Sequence, residues 1–101
     1  MSELRKPIAF AGCGEVAGSA SAAQLPAVSG SMIWIKAVAS NAGNVYLGGS
    51  GVTKVNGTTD TTTGVELTPG DMIGPLPLSS LSDLYYICDN AGDDLTYLVL
   101  G

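Results

Sequence analysis

Lys54 follows a Gly-Gly-Ser-Gly run and precedes a stretch of threonines, so phosphate binding is the first chemistry to consider. A phosphate-gripping loop needs Gly, four residues, then Gly-Lys-Ser/Thr at the start of a helix, so that backbone N–H groups surround the anion. Here Thr53 precedes the lysine, Val55 follows it, and the threonines beyond are poor helix formers. Both spacing and context fail, and the stretch is expected to be a glycine-rich strand end and loop. Nucleophilic catalysis is equally short of parts: the chain has no histidine, and Cys13 and Cys88 have no evident activating base. The acids Asp89, Asp93 and Asp94 cluster around a turn, where such residues cap backbone groups or face water. As a calcium loop, "DNAGDD" lacks the alternating acidic positions and distal glutamate of a helix-loop-helix site. Trp34, Tyr85, Tyr86 and Tyr97 could stack on a sugar, but aromatics set in strand periodicity are expected in a core or an interface. No enzyme activity, cofactor or metal is expected.

The elements that must carry these residues have the period of strands. Residues 32–40, "MIWIKAVAS", are β-branched and aromatic, and "NAG" at 41–43 turns them into "NVYLGG". Residues 83–89, "DLYYICD", meet a second "NAG" at 90–92 before "DDLTYLVLG". Both turns are expected to be hairpin connections, because Asn and Gly tolerate the left-handed backbone such turns need. Pro69 and Gly70 take the centre of an expected type II turn, and "SSLSDL" suits one helical turn. The class is all-β: a small antiparallel β-sandwich or jelly-roll-like domain over residues 32–101, with seven or so short strands when "PIAFAG" near the start is counted as an optional one.

Residues 1–31 read differently. From 12 to 31 the bulky apolar residues are only Val16, Leu25 and Val28, among Ala, Gly and Ser. This segment is expected to be an extended amino-terminal arm, able to reach about 100 Å, with Ile8, Phe10, Val16, Leu25 and Val28 as separate anchors on a neighbouring subunit. A core drawn from about seventy residues is marginal alone. Both faces of the last strand are apolar, with Leu95, Tyr97 and Val99 on one side and Leu98 and Leu100 on the other beside Thr96. Self-association, as a trimer, is therefore expected, with Trp34, Tyr86 and Tyr97 in the core or an interface.

Charge narrows the partners. Arg5, Lys6, Lys36 and Lys54 are the only basic residues, and from 55 to 101 there are seven acids and no base. Such a surface repels phosphate backbones and anionic lipid, so neither nucleic acid nor membrane is an expected partner. No window approaches the ~20 apolar residues of a spanning helix. "FAGC" at 10–13 has too short an apolar stretch before it for a lipoprotein signal. The two cysteines, 75 residues apart, do not make a disulfide framework and are expected to be buried thiols. "NGT" at 56–58 matches a glycosylation acceptor by chance. The acidic half, Asp93 and Asp94 included, is expected to form a solvent-facing rim, with Arg5 and Lys6 turned the other way.

The carboxy-terminal seventy residues carry "NAGNVYLGGSGVT", "GVELTPGD" and "LSSLSDLYYICDNAGDDLTYLVLG" in that order. In this order of motifs the chain resembles the small β-rich virion proteins of tailed bacteriophages, which include capsid decoration (cement) proteins, head fibres and tail accessory proteins. The resemblance implies a structural virion component. The chain has no fibre or receptor-binding domain appended after the β-unit, which favours decoration: docking on the major capsid protein of an assembled head, at the capsid surface, and bridging its subunits. The alternative it implies is a tail or head-fibre accessory protein with a receptor- or carbohydrate-binding role.

Overall fold

Strict alternation builds the strands at the centre of the molecule. In a computed structural model, which describes residues 8–55 and 62–101, strand β3 (Met32–Ala37) turns Ile33, Ile35 and Ala37 inward, all fully buried, and Met32, Trp34 and Lys36 outward. The other strands are β1 (Phe10–Val16), β2 (Ala23–Gln24), β4 (Val45–Gly48), β5 (Val65–Leu67), β6 (Met72–Leu76), β7 (Tyr85–Cys88) and β8 (Leu95–Leu100). A 3-10 turn, Leu81–Asp83, precedes β7, and the Ser80 hydroxyl caps it by accepting from the Ser82 N–H.

The eight described strands make two four-stranded antiparallel sheets, ordered β1-β8-β3-β6 and β2-β7-β4-β5. Strand β1 pairs with β8, β2 with β7, β3 with β6 and β4 with β5. This is the pairing of one long hairpin rolled up on itself, the plan of a jelly roll. The expected all-β sandwich is present. Its core lies between the sheets: Leu25, Ile33, Ile35, Val45, Leu47, Leu67, Leu81, Tyr86, Cys88, Leu95 and Val99 are among its members.

The amino-terminal segment is a correction. Residues 10–31 belong to the domain, with β1 as an edge strand of one sheet and β2 as an edge strand of the other. Leu25 is 2% exposed in the core, and Val16 and Val28 pack against it. The small residues here do not mark a lack of packing, because their neighbours fill the space. A Cβ at Gly12 would lie 3.3 Å from Val28 Cγ1, and one at Gly14 would lie 3.1 Å from Tyr97 Oη.

The two "NAG" turns are a second correction. Each joins strands of different sheets, β3 to β4 and β7 to β8, so both are corners of the sandwich and neither is a hairpin. "TPGD" is also such a corner, between β5 and β6, and the type II turn is there: Gly70 has φ 90° and the Asp71 N–H donates to the Thr68 carbonyl at 2.9 Å. Among the described strands, consecutive ones pair only at β4–β5, around the glycine- and threonine-rich loop.

Candidate interaction surface

The corners account for the acidic cluster. Asp93, 1% exposed, accepts from the N–H groups of Ala42 and Gly43 on Oδ1 at 3.0 and 3.1 Å. Its Oδ2 accepts from the Asn90 N–H at 3.0 Å and Asn90 Nδ2 at 2.9 Å. One carboxylate thus holds both "NAG" corners together. Burial pushes the Asp93 carboxyl upward, but the Gly43 N–H, the Asn90 side chain and the Ala42 and Asn90 N–H groups outweigh it and hold it below the usual value. Asp94 Oδ1 accepts from the Gly18 N–H at 2.9 Å, and Asp89 accepts from the Asn44 N–H and the Tyr46 hydroxyl. The expected solvent-facing rim is therefore corrected at Asp93, which lies inside the corner. With its oxygens surrounded by N–H donors, this cluster is the wrong environment for a calcium ion. Among the described residues no three His, Cys, Asp or Glu side chains converge.

The glycine-rich loop has a structural task as well. Tyr46, Val52 and Ile87 form a small second core on the outer face of the β2-β7-β4-β5 sheet, with Val55 and Tyr85 packed against it. Residues 49–55 lie over that face as a roof. A Cβ at Gly64 would come within 2.7 Å of both Leu47 O and Val52 Cγ2, so glycine lets the roof approach. Thr53 and Thr63 clasp its base, each hydroxyl accepting from the other's backbone N–H at 3.0 Å. Lys54 Nζ donates to the carbonyls of Ala20 and Cys88 at 3.4 Å, so its charge serves the scaffold. The "NGT" triplet, Arg5 and Lys6 lie outside the described residues.

The aromatics separate. Tyr86 is buried in the main core and its hydroxyl donates to the Ala17 carbonyl at 2.8 Å; burial raises its pKa, as it does for Tyr46. Tyr97 packs inward against the core, and Tyr85 lies under the roof. Trp34 alone of the four faces outward on the β1-β8-β3-β6 sheet, so they form no common stacking platform. The thiols divide too: Cys88 is buried, with its pKa raised by that burial, whereas Cys13 is exposed, contrary to expectation.

No described segment covers the outer face of the β1-β8-β3-β6 sheet. Cross-strand pairing arranges that face in rows: Phe10, Leu100 and Met32; Cys13, Leu98 and Trp34; Glu15, Thr96, Lys36 and Met72. Met72 is 64% exposed, Leu98 37% and Phe10 65%, and Ile8 protrudes just before β1. Trp34, Lys36, Met72, Thr96 and Leu98 border an open depression of about 340 Å³. Of the five expected arm anchors, only Ile8 and Phe10 remain available to a partner. Strand parity alone marks Trp34 and Leu98 as outward; the presence of Met72 and Cys13 beside them depends on the sheet order.

Comparison with known proteins returns no matching family model, no matching curated protein and no matching solved structure.

Proposed function

We propose that the chain is a structural component of a tailed-phage virion, a capsid decoration protein that docks on the assembled head and bridges its subunits. The observation that carries the reading is the contrast between the two outer faces: one roofed by the chain's own loop, the other apolar and covered by no described segment. An exposed apolar patch of this kind is the mark of a macromolecular contact. The polar clusters capable of chemistry are engaged in holding corners and the roof, which suits a scaffold rather than a catalyst. The order of virion-type sequence motifs supports the same reading. Jelly rolls recur in viral capsid and lectin domains, a fold-level analogy that adds only a little.

In this reading the open face supplies self-association, and the amino-terminal end, where Ile8 protrudes, is directed at the major capsid protein. A second reading, a tail or head-fibre accessory protein that binds a receptor carbohydrate, is favoured by the single outward indole beside the Trp34–Leu98 depression. Imaging of virions carrying a gold-labelled antibody against the chain separates the two. Label distributed over the head lattice is the expected result; label confined to the tail supports the accessory reading, and unlabelled virions overturn both.

A further inference from the structure

We propose that the uncovered sheet face is closed by the same face of a second copy, related by a two-fold axis that runs along β8 between the two sheets. The inference rests on the self-association in the reading above, not on a virion location. Two sheets packed face to face keep their strands nearly aligned, within about 30°. A two-fold axis parallel to β8 then places each β8 over its counterpart and lays β1 of one copy over β3 of the other.

On β1, β8 and β3 every row of the face has a complementary partner under that operation, and Met72 on the edge strand β6 has none. Leu98 and Leu100 meet their own counterparts on the axis. Cys13, the small exposed side chain of its row, lies opposite Trp34 of the second copy. Phe10 lies opposite Met32, and Glu15 lies opposite Lys36, each of these twice by symmetry. Glu15 and Lys36 are two strand spacings apart within one copy, about 9.5 Å, with Thr96 between them, so they are better placed to pair across the interface than within the chain. Lys36 has no ion pair among the described residues, while the other described lysine is held by carbonyls. A three-fold arrangement, the symmetry expected from the sequence, cannot stack these faces pairwise.

Under this operation β1, β8 and β3 have a strand opposite them and β6 does not, so the overlap measures roughly 14 Å across three strands and 20 Å along six residues, a flat area near 300 Å² per copy. That is well below the ~800 Å² per partner of a standard interface, so a weak, transient dimer with dissociation in the upper micromolar range is expected.

Sedimentation equilibrium of the full chain from about 1 to 200 µM tests the proposal. The wild type should pass from monomer to dimer. Lys36→Glu and Glu15→Lys place like charges opposite each other twice, and each should weaken dimerisation at least tenfold. Both side chains are exposed, so circular dichroism of each variant should match the wild type. An equimolar mixture of the two variants should recover a dimer, because each Glu then meets a Lys only in the heterodimer. A wild type that stays monomeric or forms a trimer, single variants that dimerise normally, or a mixture that stays monomeric each overturns the proposal. The monomeric result leaves the face to the capsid or another chain; none of these results touches the virion labelling.

Discussion

Replacing Asp93 with asparagine isolates the carboxylate that holds the two "NAG" corners of the sandwich together. The carboxylate accepts two donors on each oxygen, three of them backbone N–H groups, inside a corner that water does not reach. Asparagine has nearly the same shape but one acceptor. If its oxygen faces Ala42 and Gly43, its NH₂ faces the Asn90 N–H and Nδ2. The exposed Asn90 side chain can turn to water, which leaves one orphaned backbone donor at about 1–3 kcal/mol. The two retained bonds lose their charge assistance, another ~1 kcal/mol or so. The expected cost is about 3 kcal/mol, a large share of the ~5–15 kcal/mol of a domain this size. At about 4–8 °C per kcal/mol, the midpoint should fall by about 15 °C. Urea unfolding at neutral pH and calorimetry read both quantities. The wild type also carries a pH signature. Because the folded Asp93 pKa is depressed, its contribution is fully present above the unfolded value of about 3.9 and is lost as pH falls through the folded value. Wild-type stability should therefore decline below about pH 4, and the Asp93→Asn variant should decline less. The slope will not vanish, because Asp71, hydrogen-bonded by the Thr68 hydroxyl and N–H, shifts in the same direction. A loss under about 0.5 kcal/mol, the level of an ordinary surface change, would refute the reasoning.

Leu25→Ala should cost about 3 kcal/mol in urea unfolding, as for a core leucine; a surface-sized change would return residues 10–31 to the status of a separate arm. Gly74→Ala should destabilise by about 2 kcal/mol or more and shift the Trp34 emission, since Gly74 has φ 141° and a Cβ there would lie 2.6 Å from Trp34 Cδ1 and 2.8 Å from Ile33 O. Ile87→Thr, under the roof, should cost about 2 kcal/mol, while Leu98→Thr on the open face should change monomer stability by no more than about 0.5 kcal/mol. Equal costs, measured in dilute protein, would mean that the two outer faces are not differently covered.

The alternation in residues 32–37 and 95–100 is a local property, and it makes the strands and their inward residues legible from sequence. A turn signal is local too, but it reports only that the chain reverses. Whether the next strand joins the same sheet is decided elsewhere: at the "NAG" corners by hydrogen bonds between Asp93 and Ala42, 51 residues apart, and between Asn41 and Asp94, 53 apart. No inspection of "NAG" itself finds those partners. The amino-terminal segment fails for a related reason. Counting large side chains treats Gly12 and Gly14 as vacant, whereas the space over them belongs to Val28 and Tyr97. At the surface, parity turns Trp34, Leu98 and Leu100 the same way, but only the order β1-β8-β3-β6 brings Cys13, Glu15 and Met72 onto one plane with them.

That plane and the roofed one are the same physical problem met in two ways. On the β2-β7-β4-β5 sheet the chain lays its own residues 49–55 over the face, and Tyr46 falls to 1% exposure beneath them. On the other sheet a second copy would do what the loop does. Area alone does not settle whether it binds. Two flat faces of about 300 Å², at an interface-typical ~60% apolar, give roughly 9 kcal/mol at ~25 cal/mol per Å². Association costs about 4–15 kcal/mol in lost freedom. With gain and cost of one size, the balance falls to the fit of particular residues. In the proposed dimer, Cys13 beneath the partner's Trp34 would admit the indole where a larger side chain would hold the sheets apart, and Glu15 against Lys36 would fix the register. The substitutions that matter most for assembly are therefore at these small and charged positions, and not at Leu98, whose apolar area any greasy neighbour could cover.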